Sequence, residues 1–387
     1  MLIKRKLAPY VSRYFKQYPV ITITGPRQSG KTTLARMVFP DLPYVNLEDM
    51  EVRSFAIDDP RGFLKKYENG AVIDEFQNAP DLPSYLQVLV DEKRENGMFC
   101  LTGSRQFEVI DKVSQSLAGR TAMLKLLPFT FSEMPADAIT DDYNSFLFSG
   151  FYPRIFDQGL DPNRAMEDYV TTYLERDLRS LSSVHDLHLF RKFMKLLAGR
   201  TGQILNVSSL ANDCGVSNTI ASRWISLLET SYIIFLLQPF HGNINKRLVK
   251  SPKIYFFDTG LAAHLMGIEK RSHLESHPLR GNLFENMVIA DVLKERYHNA
   301  LRDNIYFYRD SKGNEIDLCY EEGHLLDIVE IKSGATINSD YFKGLNHFNK
   351  EFPELVKKRY LVYAGTARET RNNIIICGPG GLAGALV

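Results

Sequence analysis

The sequence has few cysteines and no long apolar stretch. Its four cysteines are far apart, so they lack the paired spacing that marks a zinc site or a disulfide framework. The longest apolar run, residues 232–237, is far too short to cross a bilayer. The basic N-terminus also lacks the continuous apolar stretch of a secretory signal. We therefore expect a cytoplasmic protein in a reducing compartment, without a membrane partner.

The chain also lacks a strong net charge. The 47 Lys and Arg residues and the 46 Asp and Glu residues give a formal charge of +1, so any contact with nucleic acid must come from local basic patches. Apolar residues make up 44% and charged residues 24%, values close to those of average globular proteins, so the composition suggests neither disorder nor a fibrous repeat. With 387 residues, the chain is long enough for two or three domains, each with its own core.

Changes in the spacing of apolar residues predict three domains in an α/β protein. Residues 1–135 alternate short β-branched runs with helical segments, which predicts a parallel sheet with helices on both faces. These runs lie at residues 20–24, 44–48, 71–75, 98–102 and 122–127. Residues 136–245 have apolar residues at helical spacing and predict a helical domain. Strand-like runs return in residues 246–387, beginning with KIYFFD, and predict a second α/β unit.

A phosphate-binding loop is predicted at residues 25–32. The segment GPRQSGKT matches the pattern G-x-x-x-x-G-K-[ST] in full, and it lies between an apolar strand and a helical segment. The glycines let backbone N–H groups surround phosphate oxygens at a helix N-terminus. Lys31 is predicted to reach the β- and γ-phosphates of ATP, and Thr32 to bind magnesium. The predicted nucleotide-binding residues are Gly25, Pro26, Arg27, Gln28, Ser29, Gly30, Lys31, Thr32, Thr33 and Thr102.

Two adjacent carboxylates follow a second apolar strand. Asp74, at the end of AVID, is predicted to hold magnesium in the manner of a Walker B aspartate. Glu75 is placed to orient or deprotonate the attacking water, which predicts ATP hydrolysis and not only nucleotide binding. The alternative for Glu75 is an exposed carboxylate at a strand end.

Polar residues after the next strand are candidates for sensing the γ-phosphate. Thr102 or Ser104 suits this role by hydrogen bonding, and the alternative is an ordinary strand-to-helix turn. Phosphoryl transfer also favours a cation over the developing charge, often an arginine from a neighbouring subunit. Arg105 and Arg120 are candidates that the sequence does not rank.

Residues 207–229 predict a helix-turn-helix. Apolar positions face a core in each helix, Gly215 fits the turn, and Ser217 would cap the second helix. The second helix offers Arg223 as its only basic residue, so specific base reading is doubtful. A nearby basic run could grip phosphates without reading sequence; it consists of Lys246, Arg247, Lys250 and Lys253. A protein-contact or lid-like role is an equal alternative to DNA contact.

Three charged residues on two strands predict a second site in the C-terminal third. Glu330 and Lys332 lie two residues apart and share a strand face, and Asp317 on a neighbouring strand can meet them. Glu285 could add a fourth group from the preceding helix. Asp317 and Glu330 would hold magnesium and Lys332 would stabilise negative charge during phosphodiester cleavage. The segment resembles a restriction-endonuclease-like PD-(D/E)xK core, although no proline precedes Asp317; the alternative is a solvated strand face.

With these residues identified, the chain resembles the prokaryotic AAA-type ATPases that carry a C-terminal domain of unknown function, the family numbered 4143. The resemblance covers essentially the full length. It rests on residues 25–32, 71–77, 101–104, 116–120, 173–178, 253–261, 315–317 and 330–332. It implies ATP binding and hydrolysis, a homo-oligomer and a nuclease-like C-terminal fold, but no settled biological role.

These patterns favour an enzyme that hydrolyses ATP with magnesium and acts on DNA. In this hypothesis the nucleotide state reorganises the helical domain and presents nucleic acid to the C-terminal site. The rival hypothesis is a nucleotide-gated regulatory or scaffold protein whose C-terminal domain has lost catalysis. A small-molecule kinase is disfavoured because Glu75 beside Asp74 suits activation of water.

Overall fold

The computed structural model describes residues 3–104, 116–135, 138–140, 142–174, 186–240 and 251–386. The chain divides into two compact units. The first unit comprises residues 1–128 with the short segments 230–232 and 297–301, and the second comprises the remainder. The boundaries of the three predicted domains stay a prediction.

The first unit is built on a five-stranded parallel sheet with the order β2-β3-β4-β1-β5. Its strands are β1 Val20–Thr24, β2 Tyr44–Asn46, β3 Ala71–Asp74, β4 Phe99–Gly103 and β5 Thr121–Lys125. All five predicted runs are therefore strands, and the prediction of a parallel α/β sheet is confirmed. Because the strands are parallel, the carboxyl ends of β1, β3 and β4 lie at one edge of the sheet.

Helices cover both faces of this sheet. They are α1 Ala8–Phe15, α2 Lys31–Val38, α3 Met50–Asp58, α4 Pro60–Lys66 and α5 Leu82–Lys93. Alternate residues of β4 enter different apolar clusters: Phe99 and Leu101 pack in one, and Cys100 packs in the other. A strand buried on both faces reads as a continuous apolar run, which explains why these strands were recognisable in the sequence.

The second unit begins with helices. They are α6 Tyr143–Ser149, α7 Pro153–Gln158, α8 Pro162–Tyr169, α9 Leu187–Ala198, α10 Val207–Cys214 and α11 Asn218–Thr230. Gly215 ends α10 with φ +85°, and the Ser217 hydroxyl accepts a hydrogen bond from the Ile220 N–H at the start of α11, 3.3 Å away. The predicted turn and cap of the helix-turn-helix therefore have the expected geometry.

Two short strands follow these helices as an antiparallel pair, β6 Ile234–Leu237 and β7 Lys253–Phe256. The sequence predicted that the run KIYFFD opens the C-terminal α/β unit. In the structure this run is a strand, as predicted; it pairs with β6 and is absent from the described C-terminal sheet, while the domain boundary itself stays a prediction. An apolar run identifies a strand but does not identify its hydrogen-bonding partner.

The C-terminal part contains a mixed six-stranded sheet with the order β12-β13-β11-β10-β9-β8. The strands are β8 Ile305–Arg309, β9 Glu315–Glu322, β10 Leu325–Lys332, β11 Val356–Tyr363, β12 Glu369–Arg371 and β13 Ile374–Cys377. The accompanying helices are α12 Thr259–Leu265, α13 Arg280–His298, α14 Lys343–Glu351 and α15 Gly380–Ala383. The predicted α/β architecture with a helical middle region is confirmed. Within the described ranges, every helix is too short or too polar to span a bilayer.

Candidate functional site

Two glycines shape the loop between β1 and α2. Gly25 has φ +153°, and a Cβ atom there would lie 1.9 Å from the carbonyl oxygen of Leu126. Gly30 has φ +92° and directly precedes the first residue of α2. Since Gly30 brings no capping side chain, the first N–H groups of α2 are left to bind an anion. The loop therefore has the form that the phosphate-binding pattern predicted.

Arg5 supports the loop from outside the motif, and the sequence did not identify it. Its side chain is 5% exposed, and it donates hydrogen bonds to the carbonyl oxygens of Ser29 (2.7 Å) and Leu127 (2.6 Å). These partners are 24 and 122 residues away along the chain. Contacts at such separations leave no local pattern by which they could have been found.

Lys31 lies over the loop that precedes it. Its Nζ donates to the carbonyl oxygens of Gly25 (2.9 Å) and Pro26 (2.8 Å). The nearby Ser29 hydroxyl is buried and has no hydrogen-bond partner among the described residues. An ammonium group and a hydroxyl in this loop can donate to phosphate oxygens.

Asp74 is the centre of a hydrogen-bonded cluster at the end of β3. Its Oδ2 accepts hydrogen bonds from the hydroxyls of Thr32 (2.8 Å) and Tyr44 (2.7 Å). Its Oδ1 accepts from the Thr102 hydroxyl and from the Glu75 N–H. Burial, followed by the hydrogen bond to Asp74, raises the pKa of Tyr44 well above its usual value, so Tyr44 stays a donor. The sequence did not identify Tyr44.

The donor atoms near Asp74 fit magnesium. Two oxygen ligands at about 2.0–2.1 Å from one octahedral Mg²⁺ lie about 2.9 Å apart. The Thr32 hydroxyl and the Asp74 carboxylate are 2.8 Å apart, and both are hard oxygen donors. These two side chains therefore match the ligand type and the spacing that the metal requires.

Glu75 adopts a left-handed backbone conformation with φ +52°. Its Oε2 accepts hydrogen bonds from the Gln77 side-chain amide and from the Ser104 hydroxyl, the latter at 3.0 Å. A positive φ is unusual for a residue other than glycine and marks a position that its surroundings hold in place. The Glu75 carboxylate is thus oriented by residues from two neighbouring strand ends.

The two residues predicted to sense the γ-phosphate donate hydrogen bonds to the carboxylates in this structure, and their predicted role stays a prediction. Thr102 donates to Asp74, and Ser104 donates to Glu75. Of the candidate arginines, Arg120 forms a bidentate ion pair with Asp91, with N···O distances of 2.6 and 2.7 Å. The hydrogen bond from Arg120 lowers the pKa of Asp91. Arg105 lies outside the described residues.

The remaining predicted nucleotide-binding residues lie in the loop or in α2. Arg27 forms an ion pair with Glu48 at 3.7 Å, and Gln28 has a left-handed backbone with φ +62°. Thr33 is exposed in the first turn of α2. The structure thus places the loop, Asp74 and Glu75 together at one edge of the first sheet.

A second cluster of charged side chains lies in the C-terminal part. Lys332 Nζ is 2.5 Å from Glu330 Oε1 and 3.8 Å from Asp317 Oδ2. Asp317 Oδ2 also accepts a hydrogen bond from the Ile331 N–H at 2.7 Å. Strand alternation predicted that these three residues meet, and the structure brings them together.

Glu285 from α13 joins the cluster through β7. Lys253 donates to Glu285 at 3.1 Å and also pairs with Glu315, while the Tyr255 hydroxyl donates to Glu285 at 2.5 Å. The Lys253 side chain is only 3% exposed, so the prediction that it grips phosphates from a basic run was wrong. Its partners in that prediction, Lys246, Arg247 and Lys250, lie outside the described residues.

Burial changes the acidity of this cluster. Loss of solvent, followed by the charge of Asp317, raises the pKa of Glu330 to about 8 and that of Glu285 to about 7. The Glu330 Oε2 atom is buried without a hydrogen-bond partner among the described residues. Carboxylates crowded in this way gain most from a bound cation, and oxygen ligands of this kind suit Mg²⁺.

Comparisons with known proteins cover most of the chain. A family described as an AAA domain matches residues 17–135. Two domains of unknown function, DUF8612 and DUF4143, match residues 140–272 and 280–379. Residues 175–178, which belong to one of the segments that carried the resemblance, lie outside the described residues.

Relatives from several organisms are similar over most of their length. The uncharacterized protein Rv2008c of Mycobacterium tuberculosis is 33% identical over 339 residues, which is 87% of this chain and 75% of that protein. An uncharacterized protein of Haemophilus influenzae is 22% identical over 309 residues, covering 71% of this chain and 74% of its own length. Among solved structures, the Walker-type ATPase PABY2304 of Pyrococcus abyssi matches with a TM-score of 0.43 and 14% identity, covering 67% of this chain and 94% of that chain.

Proposed function

This chain belongs to the same family as Rv2008c, with an AAA-type P-loop ATPase domain before a DUF4143 domain. From this premise we propose that it hydrolyses ATP with magnesium and couples hydrolysis to the binding or processing of DNA. The observation that carries the proposal is the meeting of Lys31, Thr32, Asp74 and Glu75 at one edge of the first sheet. Each of the four has a distinct task.

Lys31 and the loop bind the triphosphate. When phosphate oxygens arrive, Lys31 exchanges its hydrogen bonds with the carbonyls of Gly25 and Pro26 for charge-assisted bonds to the β- and γ-phosphates. The N–H groups at the start of α2 bind phosphate oxygens at the same time. Thr32 and Asp74 would hold Mg²⁺, which neutralises charge on the β- and γ-phosphate oxygens when bound.

Glu75 acts on the attacking water. Its carboxylate accepts the water proton while the Ser104 hydroxyl keeps it oriented. Thr102 keeps Asp74 in position from β4. We place the arginine over the developing negative charge on a neighbouring copy, since Arg120, one of the two candidates, is paired with Asp91 in its own chain. We therefore expect a homo-oligomer.

Replacing Lys31 with Ala tests the nucleotide site. The variant loses the cation that contacts the transferred phosphate, so phosphate release should fall by at least about 100-fold. Release of inorganic phosphate from ATP measures the loss of hydrolysis. Calorimetry with an ATP analogue measures the loss of nucleotide binding. Lys65→Ala, exposed at the end of α4, is the matched control and should match the wild type. Hydrolysis by Lys31→Ala at the wild-type rate would refute the assignment.

The DNA part of the proposal has two supports in the second unit. Helices α10 and α11 followed by the β6–β7 pair suit a winged helix, which can lie against a DNA backbone. Asp317 and Glu330 suit a magnesium site beside Lys332, as in a restriction-endonuclease-like core. In this proposal the carboxylates hold the metal, and Lys332 stabilises negative charge on the cleaved phosphodiester.

Cleavage and gel-shift assays with single-stranded, duplex and branched DNA distinguish the two hypotheses for the second unit. With ATP and magnesium, a nuclease would cut at least one of these forms, and Lys332→Ala would abolish the cutting while leaving ATP hydrolysis unchanged. A contaminating nuclease would act equally in both preparations. Binding without cleavage, measured by gel shift, would favour the nucleotide-gated regulatory protein, and failure to bind any form would remove DNA from the proposal.

A further inference from the structure

Three potential metal ligands meet at the turn between β8 and β9. Asp310 lies in this turn, and His347 and Glu351 lie one helical turn apart on α14. The His347 Nε2 atom is 3.7 Å from Glu351 Oε1 and 4.0 Å from Asp310 Oδ2. One ligand atom from each residue lies within 4.8 Å of the others. This cluster takes no part in the two sites above.

The His347 ring nitrogen has an unusual environment. Nε2 is shielded from solvent and has no hydrogen-bond partner among the described residues. Its distances to the two carboxylates exceed the length of a hydrogen bond. A shielded imidazole nitrogen between two carboxylate oxygens, too far from either to bond, leaves room for an ion that all three can reach.

Hydrogen bonds fix the orientation of the Asp310 carboxylate. Its Oδ1 accepts hydrogen bonds from the N–H groups of Lys312 and Asn314, both at 2.8 Å, and its Oδ2 accepts one from the Asn314 side chain at 2.7 Å. The Asn314 side-chain bond is the main cause of a lowered pKa for Asp310. Each carboxylate oxygen can accept more than one bond, so Oδ2 retains capacity for a metal.

We propose that Asp310, His347 and Glu351 form a binding site for a divalent transition metal of the Zn²⁺ class. Ligands at about 2.0–2.2 Å from a tetrahedral Zn²⁺ lie about 3.3–3.6 Å apart, so the distances between the three atoms need to shorten by a fraction of an ångström to about 1.5 Å. An imidazole with two carboxylates suits Zn²⁺ and its neighbours better than Mg²⁺, which prefers oxygen ligands alone.

Such an ion would tie α14 to the β8–β9 turn, next to the charged cluster. In the first turn of α14, a Cβ atom added to Gly344 would lie 3.0 Å from the Glu315 carbonyl oxygen and 3.1 Å from Glu330 Oε2. The helix thus closely covers Glu330. The metal would have a structural role: it would hold α14 against the β8–β9 turn beside the charged cluster. The inference does not depend on nuclease activity.

Zinc titration of the full-length protein tests the site. The protein is first treated with a chelator, and Zn²⁺ is then titrated by calorimetry with Mg²⁺ in excess, so that sites with oxygen ligands alone are filled. The variants are His347→Ala and the milder Glu351→Gln, and His324→Ala, exposed in the β9–β10 turn, is the control. Co²⁺ in place of Zn²⁺ adds a visible absorption spectrum that reports nitrogen ligation directly.

The wild type and His324→Ala should bind one equivalent of Zn²⁺ with equal affinity and melt at a higher temperature with the metal. His347→Ala and Glu351→Gln should bind at least about 10-fold more weakly, since even outer-shell changes cost about 10–100-fold at metal sites. Circular dichroism checks that both variants are folded; if His347→Ala is not, Glu351→Gln alone decides. The inference is overturned if Zn²⁺ does not bind, or if both folded variants bind it as the wild type does, in which case the cluster is an ion pair only.

Discussion

Arg5 shows how a single buried side chain can stabilise the nucleotide loop. Its guanidinium joins the carbonyl of Ser29, inside the loop, to that of Leu127, beyond β5. The planar group can donate to several acceptors at once. The loop is therefore held in its phosphate-binding form before nucleotide arrives, and binding needs to order less of the chain.

Replacing Arg5 with Met should weaken both folding and ATP binding. Hydrogen bonds from a charged group contribute about 1.5–3 kcal/mol each, and two carbonyl oxygens would lose their donor. We expect a lower melting temperature and a larger dissociation constant for an ATP analogue, both measured by calorimetry. Arg61→Met, at an exposed position of α4, is the control. Unchanged affinity in a folded Arg5→Met variant would show that the loop holds its shape without this residue.

Residues that act through local patterns could be predicted, and residues that act through distant contacts could not. The loop at 25–32 and the pair Asp74 and Glu75 are contiguous in sequence, so their chemistry can be read from spacing alone. Tyr44 contacts Asp74 from 30 residues away. A lone tyrosine at a strand start has no spacing that marks it, and the same holds for Arg5.

At the scale of elements, helix α13 shows how buried charges can hold a loop. Asp291 accepts a hydrogen bond from the Phe131 N–H at 2.8 Å, and Lys294 donates to the Phe129 carbonyl at 2.7 Å. Both side chains are buried. Burial is the main cause that raises the pKa of Asp291 from 3.8 to about 7 and lowers that of Lys294. These buried groups therefore make the free energy of unfolding depend on pH.

The sign of this dependence follows from proton binding. Between pH 4 and 7, the folded protein keeps a proton on Asp291 that the unfolded chain has released, so this group stabilises the fold less as pH rises. Asp291→Asn should remove that slope, and its melting temperature should fall less between pH 5 and 8 than the wild-type value. Asp58→Asn, exposed in α3, is the control. Parallel profiles for Asp291→Asn and the wild type would contradict the assignment.

Strands differ in how much of their context the sequence reveals. Alternation along β10 placed Glu330 and Lys332 on one face, and the structure brings them to Asp317. The pairing of β7 with β6 was missed, and with it the burial of Lys253 against Glu285 and Glu315. Side-chain alternation is a local property of a strand, whereas strand pairing depends on contacts across the fold.

At the scale of the molecule, fold class was predictable and the division into units was less so. Parallel α/β, helical and mixed-sheet regions follow one another along the chain as expected. The described chain nevertheless forms two compact units, and short segments at 230–232 and 297–301 belong to the first. Tyr232, in the first of these segments, is hydrogen-bonded through its hydroxyl to the Thr24 hydroxyl at 2.8 Å, directly before the phosphate-binding loop. Changes of hydrophobic period cannot indicate such returns of the chain.

The most direct test of ATP hydrolysis at this site is phosphate release by Glu75→Gln. The amide keeps the shape of the side chain and can still bond to Ser104, but it cannot accept the proton of the attacking water. The variant should bind an ATP analogue as tightly as the wild type and release phosphate about 100- to 10,000-fold more slowly. Glu68→Gln, exposed after α4, should behave as the wild type. Hydrolysis by Glu75→Gln at the wild-type rate, or a wild-type protein that binds no ATP, would contradict the proposal.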